Sequence, residues 1–120
     1  MTENLLHYIW QYRLYTTAIP LKTTEGEPIL VIHPGILNVN AGPDFLEAKI
    51  KIGSTTWAGN IEIHTLSSDW DRHQHQNDEN YDKLILHVVY MNDAAVKTLH
   101  GSGFPTLELH PYLMPELLEK

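Results

Sequence analysis

The chain contains no cysteine, which excludes disulfides and thiolate metal sites. It has no apolar run near the roughly 20 residues a membrane-spanning helix needs, and no basic stretch leading into a short apolar one. Those absences predict no membrane partner and a bacterial, cytoplasmic setting. Positive charge is scarce as well. Eight Lys and Arg stand against 15 Asp and Glu, for a formal net charge of −7. Such a balance argues against a broad basic surface for gripping nucleic acid. It leaves room for an acidic pocket, because hard divalent cations are held by carboxylates.

What is present points to one packed domain. At 120 residues with 42% hydrophobic content, the chain can fill a single core. Eight histidines are many for this length, and residues 69–82 concentrate His, Asp, Glu, Asn and Gln.

Residues 3–16, "ENLLHYIWQYRLYT", carry apolar residues at helical spacing, with Thr2 placed as a cap. The pattern predicts an amphipathic helix packing Leu6, Ile9 and Trp10 inward. "ILVIH" (29–33) is a strand by its branched residues, ended by Pro34-Gly35. In "LEAKIKI" (46–52), Leu46, Ala48, Ile50 and Ile52 alternate with Glu47, Lys49 and Lys51. "GSTT" makes a turn, and "WAGNIEIH" (57–64) returns antiparallel, with Asn60, Glu62 and His64 on one face. Ser67 and Ser68 are placed to cap a short polar helix or irregular segment. "KLILHVVYM" (83–91) is apolar on both parities, as in a strand buried on both faces. "FPTLELHPYL" (104–113) adds a short strand, and "PELLEK" reads as the start of a helix. The predicted class is α/β or α+β: a mixed sheet with the N-terminal helix packed on it. A helix broken off at Lys120 suggests the N-terminal portion of a longer protein.

The chemistry centres on Asp44, Glu62 and His64. An aspartate opening one hairpin strand and a Glu-x-His on the next can bring three polar groups to one side. Two carboxylates form a minimal Mg²⁺ or Mn²⁺ site, and a third group beside them can orient or deprotonate water. The bland alternative has Asp44 capping a turn and Glu62 solvated on a strand.

Pro43-Asp44, a hairpin-length gap and Glu62-Ile63-His64 resemble the motif of the PD-(D/E)xK phosphodiesterase superfamily, with His in place of Lys. That resemblance implies a restriction-endonuclease-like core and metal-dependent cleavage of nucleic acid. It assigns Asp44 and Glu62 to the metal and His64 to the lysine's place. Imidazole lacks the permanent charge of lysine, a departure that bears on catalysis rather than on fold. Over nearly its whole length, through "NAGPDFLEAKI" and "WAGNIEIHTLSSDWDRHQHQNDENYDKLILHVVY" among other segments, the chain also resembles an uncharacterised bacterial family of longer proteins.

His73 and His75 follow a short connection after His64 and are candidate further ligands. Their participation would favour Zn²⁺, Fe²⁺ or Mn²⁺ over Mg²⁺. With Glu79 they have the H-x-H-x-x-x-E spacing of cupins, but the second cupin motif is missing. Asn60 and Trp70 are candidate substrate contacts, and Glu3 is placed to approach the site from the helix. His87 reads as a buried histidine bonded to backbone. The alternative to an enzyme is a nuclease-like scaffold or interaction domain without catalysis.

Overall fold

The computed structural model describes residues 1–69, 83–93 and 104–114. It is mixed α/β: one N-terminal helix and a six-stranded mixed sheet. Helix α1 is Glu3–Gln11. The strands are β1 (Ile29–His33), β2 (Ile36–Leu37), β3 (Phe45–Ile52), β4 (Thr55–Leu66), β5 (Leu84–Met91) and β6 (Thr106–Glu108). The sheet order is β1-β3-β4-β5-β6, with β2 pairing β3 beyond the end of β1. The β1–β3 and β3–β4 ladders are antiparallel, whereas β4–β5 and β5–β6 are parallel.

Thr2 caps α1, its Oγ1 accepting the Leu5 amide at 3.1 Å. Leu6, Ile9 and Trp10 are fully buried against the sheet. The helix ends earlier than the apolar spacing predicts. Arg13 adopts a left-handed conformation (φ 55°), and the Leu14 amide turns back to the Ile9 carbonyl at 2.9 Å. The Arg13 guanidinium then reaches the Ile32 carbonyl at 3.1 Å, and the Trp10 indole N–H donates to the Pro34 carbonyl at 2.9 Å. Both contacts fix the helix end against β1.

The two-residue loop Gly53-Ser54 joins β3 to β4, with Gly53 at φ 60° in the first central position. The β3 face departs from strict alternation. Phe45 pairs with Ile61 and Ala48 with Gly59, so Leu46 and Glu47 together lie opposite Asn60. This is a β-bulge, and Glu47 within it is left-handed at φ 59°. Phe45, Ala48, Ile50 and Ile52 therefore form the buried row, and Leu46 leaves the face that alternation gives it.

β5 is buried from Leu84 through Val89, as a strand covered on both faces requires. The segment read as a strand over 104–113 is shorter: β6 gives way to a single 3₁₀ turn at His110–Tyr112. Ser67 and Ser68 directly precede Asp69, which is helical, as their reading as helix-capping residues expects. Their hydroxyls donate to the Asp93 carboxylate at 2.8 and 2.7 Å, tying the ends of β4 and β5 together. The polar segment over 70–82 and the helix expected at "PELLEK" lie outside the described residues.

Gly59 is where β4 and the entry to β5 come closest. A Cβ there would stand 2.5 Å from the Lys83 carbonyl and 2.6 Å from Ile85 Cγ2. Gly59→Ala is expected to cost about 1–3 kcal/mol, read as a lower urea midpoint at unchanged m-value.

Candidate functional site: a carboxyl pair on neighbouring strands

The bulge decides which way Asp44 faces. With uninterrupted alternation Asp44 would share the inward parity of Ala48 and Ile50. The extra residue turns Phe45 into the core instead, and Asp44 to the opposite side, where Glu62 lies. The loop that carries Asp44 is held by Asn38. Its side-chain amide donates to the carbonyls of Ala41 and Pro43 at 3.1 and 2.9 Å, and its backbone amide to the Asp44 carbonyl at 2.8 Å. Asn60, opposite the bulge, accepts the Glu47 amide at 3.3 Å and so helps to pin the irregular turn.

Three groups meet at the Asp44 carboxylate. The Ile63 amide donates to Oδ2 at 2.7 Å, His7 Nε2 stands 3.4 Å from Oδ1, and the Glu62 side chain is hydrogen-bonded to it. Burial alone would push the Asp44 carboxyl up; the contacts with His7 and Glu62, the Ile63 amide and the His7 charge outweigh it and hold the group at about 2. Ionised carboxylates only accept hydrogen bonds, so the Asp44–Glu62 bond contains a proton. Asp44 is the ionised member of the pair. Glu62 is only 3% exposed.

His7 lies on α1, edge-on to Phe45 with ring centroids 5.9 Å apart. The Asp44 carboxylate raises its pKa above 6.5 by direct contact and by charge, against burial, with a further contribution from Glu3 one helical turn earlier. At 3.4 Å His7 Nε2 and Asp44 Oδ1 stand at an ion-pair distance rather than in a hydrogen bond. Glu3 thus acts on the pair through His7.

His64 is two residues beyond Glu62 on the same face of β4. Glu62 is also in register with His87 of β5. His64 Nδ1 lies 2.8 Å from His87 Nε2, with the rings edge-to-face at 5.0 Å between centroids, and both are buried. His87 therefore pairs with a ring, where the apolar pattern around it suggested a backbone partner. A short N···N contact holds one proton, so one imidazole donates and the other accepts. Trp70, His73, His75 and Glu79 lie outside the described residues, and with them the H-x-H-x-x-x-E spacing. Among the described residues no group of three or more His, Asp or Glu is arranged to hold a metal ion. The described donor set is a pair, Asp44 with Glu62.

His7, the ring partner of the buried His87 and the bulge are the parts that sequence reasoning missed. His7 had one available signal: it follows Glu3 by four residues on the predicted helix.

A family model described as "Protein of unknown function (DUF2851)" matches residues 3–120. No curated protein and no solved structure matches the chain. No helix among the described residues is long and apolar enough to cross a membrane.

The pair has a defined pH window. The raised His7 pKa adds stability that is full below about 6.5 and fades as pH rises through the folded-state value. The lowered Asp44 pKa adds stability that is full above about 4 and fades as pH falls towards about 2. His7→Gln is therefore expected to destabilise more at about pH 5 than at about pH 9, by up to about 1 kcal/mol. Urea midpoints of both proteins across that range check it.

Proposed function

The chain belongs to this family of unknown function, DUF2851, and we propose that it is the carboxylate-bearing core of a divalent-cation-dependent phosphodiesterase, nuclease-related and acting on nucleic acid. The observation that carries the reading is the meeting of Asp44, at the entry to β3, with the buried Glu62 of β4. The element order supports it too. A helix precedes antiparallel strands that bear the two acids, and a parallel strand follows. That is the order expected of a restriction-endonuclease-like core.

The side chains fit a hard cation as a two-carboxylate set. Asp44 is anionic at any physiological pH, and Glu62 becomes the second ligand by releasing the shared proton, a release that ordinarily accompanies metal binding. A bound Mg²⁺ or Mn²⁺ would polarise the phosphate and activate water. His7 and the Ile63 amide hold Asp44 in place and keep it ionised. His64, fixed by His87, is the group placed beside Glu62 to orient a water or take its proton. Zn²⁺ or Fe²⁺ enters this reading only with His73 and His75 as added ligands.

A second reading has its own support. Both Asp44 oxygens already have protein contacts, one with the Ile63 amide and one with His7. That is how a structural carboxylate is used, and it favours a scaffold that keeps the fold without the chemistry.

Cation-dependent cleavage of DNA or RNA is expected to fall about a hundredfold or more in Glu62→Gln. Calorimetric titration is expected to show an Mn²⁺ site in the wild-type chain that the same substitution removes. Absence of both cleavage and a Glu62-dependent Mn²⁺ site would leave the scaffold.

A further inference from the structure

Beside the carboxyl pair, on the outer side of the sheet, lies an open depression of about 560 Å³. Leu46, Glu47, Lys49, Ala58, Asn60 and Lys83 are among the residues lining it. Along β4, Ala58, Asn60 and Glu62 share one face, and they pass from exposed through half-buried to buried. On β3, Leu46 is likewise two residues from Asp44. The depression therefore ends two residues short of the carboxyl pair on both strands, about 7 Å along each.

Its charge is opposite to that of the whole chain. Lys49, paired across the ladder with Ala58, and Lys83, whose carbonyl lies against Gly59, are both exposed on its walls. Lys51 follows Lys49 on the same face of β3. Glu47 is the acid among the lining residues. Two of the eight Lys and Arg of a chain with net charge −7 thus line the approach to two carboxyl groups, with Lys51 beyond them on the same face. The absence of a Cβ at Gly59 lets the Lys83 backbone close onto β4, which brings the β5-side lysine to this wall.

We propose that this depression is a phosphate track: Lys49 and Lys83 hold the phosphodiester backbone of a nucleic-acid strand, with Asn60 beside it, and lead the strand to Asp44 and Glu62. The inference rests on the phosphodiesterase reading for what lies at the track's end, but binding along the track needs neither a cation nor cleavage. Lysines act here as point charges on phosphates, so recognition is independent of base sequence and weakened by salt. Local charge of this kind is compatible with an acidic chain, because screening limits opposing fields to about 10 Å at ordinary ionic strength.

The test is fluorescence anisotropy in EDTA with a labelled DNA hairpin carrying a single-stranded tail. The wild-type chain is expected to bind, with affinity falling as salt rises. Lys49→Gln combined with Lys83→Gln is expected to weaken binding about tenfold and to reduce the salt slope by about 1.5. Lys22→Gln, away from the track, is expected to bind as the wild type does. No binding by the wild-type chain, or binding unchanged in the double lysine variant, overturns the proposal. Binding through the lysines without cleavage in Mn²⁺ would remove the catalytic reading alone. Cleavage indifferent to both lysines would remove the track alone.

Discussion

One extra residue in β3 governs the site. Because Leu46 and Glu47 share the place opposite Asn60, the strand changes parity between Phe45 and Ala48. Phe45 fills the core beside Ile61, and Asp44 leaves it to reach Glu62 and the Ile63 amide. A left-handed Glu47 costs on the order of 1 kcal/mol, since its Cβ crowds the backbone. Burial of Phe45 contributes about 2 kcal/mol in the other direction, and the Asn60 side chain supplies the Glu47 amide with an acceptor. The strained residue thus stands next to the candidate chemistry, and the core holds it there.

Electrostatics at the pair follow from burial and from the groups that contact Asp44. Two carboxyl groups in contact in a low-dielectric setting cannot both ionise, and the environment decides which one does. Asp44 has the amide and the imidazolium; Glu62 sits deeper, in register with His87. The neighbouring His64–His87 contact is likewise a shared proton between two buried rings. The face of β4 that carries Glu62 and His64 is therefore built on proton sharing, while its other face, with Ile61 and Ile63, is ordinary apolar packing with Leu6, Ile9 and Trp10.

Much of the frame was legible in the chain. Branched residues in "ILVIH" mark β1 to the residue, and the double-parity apolar run of 84–89 marks a strand covered on both faces. The inward set of α1 could be read from its spacing. The bulge could not, because "LEAKIKI" alternates well enough that Leu46 passes for a core residue; only pairing with β4 reveals that Phe45 takes that place. The parity of Glu62 and His64 was visible within one strand. Contacts across elements, His7 with Asp44 and His64 with His87, depend on helix docking and on parallel register, neither of which local pattern encodes. The early end of α1 at a left-handed arginine was hidden for a similar reason: the residue that favours that conformation is glycine, and the chain has none there.

Carboxyl-carbon NMR of the isotope-labelled chain at neutral pH reads the central claim directly. The account predicts one proton in the Asp44–Glu62 pair, with Asp44 ionised and Glu62 protonated, and loss of that signature when Glu47 is deleted and the bulge with it. Two ionised carboxylates in the wild-type chain, or a deletion that leaves the signature unchanged, would contradict it.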